Sequence, residues 1–450
     1  MAEAPPAAAP KPPTTKPGVP EGNPALRMMG LPNLPRKLPS RNWLIFWAIT
    51  GSFTAAIVYD KREKNRATAK WRHAVEHLSK ETIHSPNQLP RKLTIYIESA
   101  PGDGLRSAQD HFIEYAKPVF AASGLDWEFV QGRQQGDVRA AVAEKIRRTR
   151  KAAERPAEEQ AATEDNVVEQ LRQRIGIPQY EGVKGDVVIG RHAWKEYIRG
   201  LHEGWLGPLD APPSAIPAPE QPKPTPDDQQ PKDNTDGTEQ PPIEEKKEEE
   251  KKDEKPKRPP QPLPYNTPDS YAESHLPPTI PAEFAPSTTL QFPHRLGFSS
   301  TFIRLGWFLN RRKLADDIGR EVAAVCFAAS RGYKEQDGEF EQQNVLKKEE
   351  QNWPKSVFKD EPPSEDADEA PKPPKEKIWA SHLNVDARLM ERMRRFELLP
   401  EDEARAAKIK VPESEIEGWI KGSFRSLINW GVDSWTAKPW APNVGNVDDE

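Results

Sequence analysis

Residues 93–130 read LTIYIESAPGDGLRSAQDHFIEYAKPVFAASGLDWEFV, and this stretch decides the fold. Leu93 to Ile97 is a short run of aromatic and branched residues, the pattern of a strand buried on both faces. Pro101, Gly102, Asp103 and Gly104 punctuate it as a turn. Leu105, Ala108, Phe112, Ala116 and Val119 then recur at helical spacing, and Leu125 to Val130 reads as a second strand. Further on, Val138, Val142 and Ile146 mark a second helix, Asp186 to Ile189 a third strand, and His192 to Leu201 a third helix. Strands that alternate with helices imply an α/β domain with a parallel sheet, because each parallel pairing needs a crossover long enough to hold a helix.

Upstream lies the one long uncharged apolar run, WLIFWAITGSFTAAIVY, residues 43–59. At 1.5 Å per residue it reaches about 25 Å, near the short limit for crossing a hydrocarbon core. Trp43 and Trp47 at one end and Tyr59 at the other stand where interfacial aromatics stand. Arg36, Lys37 and Arg41 flank one side, and Lys61, Arg62, Lys64 and Arg66 the other. A buried helix of a soluble domain does not carry dense charge at both ends. A secretory signal would not be preceded by more than 40 residues. The run is therefore expected to be a single membrane span. Lysine and arginine are slightly denser after the span than before it, which by charge alone turns the large C-terminal part toward the negative compartment. Trp71, Val75 and Leu78 share one face of a basic helix that follows.

Composition excludes a single globule. Hydrophobic residues make up 35% and charged residues 30%, and 49 prolines interrupt regular structure wherever they cluster. The expected organisation is a disordered Pro-rich tail (1–41), a transmembrane helix (42–60), a basic juxtamembrane helix (61–87) and the α/β domain (88–210). There follow a disordered Pro/Glu/Lys-rich linker (211–286), a helical region (287–358), a short linker (359–377) and a mainly helical, Trp-rich C-terminal region (378–450). Helices are expected over 314–329, over 385–399 with Leu389, Met393 and Phe396, and over Ile416 to Leu427. Whether 287–450 packs back on the α/β domain is open, but if it completes that fold, further strands must lie within it. Deleting 215–280 is expected to leave assembly intact if the linker is only a spacer.

Signals of chemistry are sparse. The net charge of −5 gives no nucleic-acid footprint. The single Cys326 sits among Leu314, Ile318, Val322 and Val325, the setting of a packed core thiol. The nine histidines form no metal-ligand spacing, so neither metal nor cofactor is expected. Gly102-Asp103-Gly104 follows a strand and opens a helix, where backbone N–H groups can cradle phosphate. It lacks a Walker lysine and the full GxGxxG pattern, so a tight turn is the plainer reading. Gly418 and Gly422 form a GxxxG outside any span and carry little meaning there. No catalytic set assembles from the sequence.

Four long stretches resemble the Tim-fifty-four family, a subunit of the carrier translocase of the fungal mitochondrial inner membrane. They are NPALRMMGLPNLPRKLPSRNWLIFWAITGSFTAAIVYDKREKNRATAKW (23–71), LTIYIESAPGDGLRSAQDHFIEYAKPVFAASGLDWEF (93–129), GDVVIGRHAWKEYIRGLHEGWLGPLD (185–210) and GFSSTFIRLGWFLNRRKLADDIGREVAAVCFA (297–328). The resemblance implies one inner-membrane span, a matrix-side N-terminus and a large domain in the intermembrane space, against the charge count. It implies a non-enzymatic subunit that supports insertion of multispanning carriers. The implied partners are the channel subunit and other subunits of the complex, the small intermembrane-space Tim chaperones and inner-membrane lipid. The α/β stretch also resembles the N-terminal domain of acylglycerol and diacylglycerol kinases. In those enzymes the third strand leads into GGDGT. Here the corresponding residues are Gly190, Arg191, His192 and Ala193. Arg191 stands where the acid would, and an arginine neither binds Mg²⁺ nor serves as a carboxylate base. Gly102, Gly104, Gly190 and Arg191 thus form a degenerate kinase-like loop set, able at most to hold an anionic headgroup. The rival readings are a membrane-tethered lipid kinase and a scaffold for other inner-membrane complexes.

Overall fold

The computed structural model describes residues 40–81, 92–155, 184–212, 261–336, 338–345, 376–416 and 419–436, with a few isolated positions between them. The Pro-rich tail, most of both linkers and residues 437–450 lie outside the described residues. The chain divides into two compact units, 1–58 and 59–450.

Helix α1 runs Arg41–Val75 without a break, so the expected membrane and juxtamembrane helices are one. Its first part, in the first unit, exposes Trp43, Ile45, Phe46, Trp47 and Ile49. Among the described residues it is the one helix long and apolar enough to cross a membrane. From Tyr59 onward the helix belongs to the second unit, where Ala69, Trp71 and Val75 are buried.

The second unit is built on a six-stranded sheet. Strand β1 (Lys92–Glu98) leads through α2 (Leu105–His111), a π turn and α3 (Lys117–Ser123) to β2 (Asp126–Gly132). Then come α4 (Asp137–Glu154), β3 (Asp186–Ile189) and α5 (Arg191–Leu206). The second half supplies β4 (Ser287–Leu290), α6 (Thr301–Phe308), α7 (Arg311–Phe327), β5 (Ser330–Gly332) and β6 (Arg394–Phe396). It ends in α8 (Pro400–Lys408), α9 (Glu413–Ile416) and α10 (Trp419–Thr436). Strand order is β2-β1-β3-β4-β6-β5, all parallel except β5 against β6. The architecture is α/β, as the sequence led us to expect.

Two cores flank the sheet. Trp71, Val75, Phe112, Phe120, Ile318 and Val322 pack on one face, and Val138, Val142, Ile198, Leu201, Tyr271 and Met393 on the other. Two glycines of α5 set the second layer. A Cβ on Gly200 would stand 2.7 Å from the Arg139 carbonyl, and one on Gly204 would stand 2.7 Å from Ile146. This Gly200-x-x-x-Gly204 pair, unremarked in the sequence reading, lets α4 and α5 approach closely.

Three expectations change. The region 287–358, read as helical, opens on β4 in the middle of the sheet, and 385–399 is a one-turn helix (Ala387–Met390) followed by β6 rather than one helix. Strands of three or four residues are too short to display a period of two, and Leu389, Met393 and Phe396 mimic a helical stripe. The linker also ends early. Residues 261–286 pack on α5, with Tyr271 buried and its ring stacked 4.6 Å from His202. The second half therefore does complete the α/β fold.

Candidate functional site

The chain leaves β1 toward β2 on one side and enters β3 on the other, so the β1/β3 boundary is a topological switch point. Loops there part to opposite faces and leave a crevice at the C-terminal strand ends, where doubly wound sheets bind ligands. A cavity of about 830 Å³ lies next to this boundary, at the C-terminal ends of β1 and β2, lined by Ser99 to Leu105, Arg133 to Gln135, Asp137, Pro262 and Trp379. Gly102 turns the chain at φ +80°, and a Cβ there would meet Leu296 at 2.6 Å. Asp103 of the same turn faces His294 Nε2 at 2.7 Å.

Of the four residues singled out by sequence, Gly102 and Gly104 line the cavity, while Gly190 and Arg191 do not. Gly190, at φ +83°, turns directly from β3 into α5, and its N–H donates to Leu290 O at 2.9 Å. Arg191 is buried, and its guanidinium donates to the carbonyl of Trp379 at 2.9 Å. It is thereby tied to a segment far along the chain. The segment 376–381 fills this end of the sheet. Lys195 Nζ donates to Ser381 O at 2.6 Å, Arg199 pairs with Glu376 at 2.8 Å, and the Trp379 ring packs edge-on to His192.

The sequence reading missed the residue at the centre of this arrangement. Glu196, wholly buried on α5, reaches the N-terminus of α4. Its carboxylate accepts from the N–H of Gly136 at 2.6 Å, Val138 at 3.1 Å and Arg139 at 3.2 Å, and from Trp379 Nε1 at 2.8 Å. A helix N-terminus with free N–H groups is an anion seat, and here the chain's own carboxylate sits in it. Beside it, Glu98 at the end of β1 is fully buried, and neither of its oxygens meets a donor. Burial first, and then the charge of Glu196, hold the Glu98 carboxyl well above the usual carboxylate range. Burial raises the Glu196 carboxyl as well, but the hydrogen bonds from Glu98 and from the Gly136 and Arg139 N–H groups pull it back, so of the two Glu98 holds its proton more firmly. The signal for this was faint: a Glu one and a half turns into a helix reads as surface. A second buried set, Arg139 and Arg147 around Glu203, ties the same two helices.

Burial drives His192 and His202 down to about 4 and the Cys326 thiol up to about 12, so these are neutral packing groups at ordinary pH. Among the described residues no group of His, Cys, Asp and Glu is gathered closely enough to hold a metal ion. At this end of the sheet a side-chain carboxyl group fills the anion seat and Trp379 walls the cavity. Trp43, Trp47 and Tyr59 remain exposed on α1, the first two stacked at 6.5 Å.

Comparison with known proteins adds the last observation. Residues 23–396 match the family model described as inner membrane protein import complex subunit Tim54. The mitochondrial import inner membrane translocase subunit tim54 of Neurospora crassa is 56% identical, over 91% of this chain and 88% of its own length. The Aspergillus oryzae protein of the same description is 41% identical, over 93% and 99%. That of Schizosaccharomyces pombe is 32% identical, over 71% and 86%.

Proposed function

The chain belongs to the Tim54 family of inner membrane protein import complex subunits, and from that premise we propose that it is a non-catalytic scaffold of the mitochondrial inner-membrane translocase. In this reading residues 43–59 cross the inner membrane and the second unit stands in the intermembrane space. There it meets the channel subunit and other members of the complex, supports insertion of multispanning carriers and docks the small Tim chaperones. Inner-membrane lipid surrounds the anchor, and nucleic acid has no part.

The observation that carries the non-catalytic reading is the Glu196 carboxylate lodged on the α4 N-terminus beside the switch-point crevice. A phosphate placed there would have to displace a buried carboxyl group held by three N–H groups and an indole. Arg191, where a kinase needs an acid, is spent on the 376–381 segment. The rival, a membrane-tethered lipid kinase, draws support only from the cavity beside Gly102 and Gly104.

Two measurements test the proposal. A C-terminal tag in isolated mitochondria becomes accessible to protease when the outer membrane is ruptured, and the tagged chain recovers the channel subunit. Protection that persists until detergent is added puts the second unit in the matrix and ends the docking role. ATP hydrolysis or lipid phosphorylation by the purified full chain ends the non-catalytic reading.

A further inference from the structure

Helix α6 and the turn before it expose an apolar surface that the second unit does not cover. Phe298 is 93% and Phe302 84% exposed, and Ile303, Leu305 and Phe308 are exposed beside them. At 100° per residue these side chains spread round most of the free circumference of the helix. A helix that lies in a protein groove needs one apolar stripe. One that sinks into an apolar medium gains from every side.

Charge points the same way. From Phe298 to Leu314 the chain carries Arg304, Arg311, Arg312 and Lys313 and no acid. Arg311 has Glu114 of the π turn 3.6 Å away, Asp110 lies on the wall of the cavity behind α6, and Asp60 accepts from the Arg311 N–H. Aromatics alternating with basic side chains are the composition of a helix lying in the headgroup layer of a bilayer.

Position settles the occupant. Tyr59 ends the apolar run, and Asp60 follows it. The Asp60 carboxylate accepts from the backbone N–H of Arg311 at 3.2 Å and of Arg312 at 3.3 Å, the first turn of α7. The Arg312 guanidinium lies 5.1 Å over the Tyr59 ring. Helix α6 ends three residues before Arg311, and at eight residues it is about 12 Å long. It is thus tethered to the very residues at which α1 leaves the apolar run.

We infer that α6, with Phe298, is a second membrane contact: an interfacial helix that inserts Phe298 and Phe302 among the lipids and sets its basic side chains against anionic headgroups. It rests on the reading of 43–59 as a membrane span. It fixes the second unit at two points on the bilayer instead of one.

The test uses the full chain reconstituted into phosphatidylcholine bilayers containing phosphatidylglycerol, with a nitroxide on Phe302→Cys, Ala56→Cys or Arg148→Cys. Cys326 is buried and Arg148 lies on the exposed side of α4. Collision with oxygen, which partitions into lipid, is compared with collision with an aqueous nickel complex. At 302 the oxygen-to-nickel ratio is expected to exceed that at 148 several-fold, and to approach that at 56. A ratio at 302 equal to that at 148, with 56 in lipid, overturns the interfacial helix and leaves the span intact. Shielding of 302 from both reagents means a protein covers it, and also overturns the inference. An aqueous signal at 56 removes the span and the inference with it.

Discussion

Replacing Glu196 by alanine tests whether a buried carboxylate, and not the helix itself, holds the start of α4. In the parent four donors converge on it: the N–H groups of Gly136, Val138 and Arg139, and Trp379 Nε1. Hydrogen bonds to a charged group contribute about 1.5–3 kcal/mol each, and a buried donor left without a partner costs about 1–3 kcal/mol. These terms are not additive, since water enters part of the space. The truncation of one member of a buried charged network typically costs about 3–5 kcal/mol, and that is the loss expected for Glu196→Ala. Glu196→Gln keeps one acceptor but turns its amide N–H toward donors, so about 1–3 kcal/mol is expected. The assay is urea unfolding of the full chain in detergent, followed by tryptophan fluorescence. Sulfate added to the alanine variant should refill the seat and raise its midpoint, with no such effect on the parent. A Glu196→Ala midpoint within about 1 kcal/mol of the parent, or equal sulfate response in both, refutes the argument.

Gly200→Ala is expected to cost about 1–3 kcal/mol, because its Cβ lands 2.7 Å from a backbone carbonyl of α4; unfolding of the variant measures it directly. Burial lowers His111, His192 and His202 from 6.5 to about 4, so the unfolded chain binds more protons between those values. Stability is therefore intact above pH 6.5 and falls as pH drops toward 4, each histidine contributing up to about 1.4 kcal/mol per pH unit. Glu98 acts oppositely: its raised value stabilises below its unfolded 4.5, and that stability is lost as pH rises through the folded value. Glu98→Gln should flatten this part of a stability-against-pH curve. Removing 215–280 should now destabilise the second unit. It deletes Asn266, which accepts from Arg199 at 2.7 Å, and Tyr271, while removing 215–258 should leave the unfolding midpoint unchanged.

The sequence by itself determined the elements whose signals are local. The uncharged run at 43–59, the strands at 93–97 and 186–189 and the stripes of α4 and α7 each declare themselves within a dozen residues, because burial of one face imposes a period on the chain. It also located the Gly102–Gly104 turn. Tertiary structure alone decided the rest. Every residue of α5 is buried, yet its sequence alternates apolar and charged residues like a surface helix. The partners that make this possible come from far along the chain: Trp379 and Ser381 for Arg191 and Lys195, Asn266 and Glu376 for Arg199, and the α4 N-terminus for Glu196. A buried charge is tolerated only where such donors and acceptors converge. Convergence is a property of three-dimensional neighbours, so no window of sequence can carry it. The same holds for β4 and β6, whose three or four residues become strands because the sheet edge beside them offers hydrogen bonds, not because their own pattern demands it.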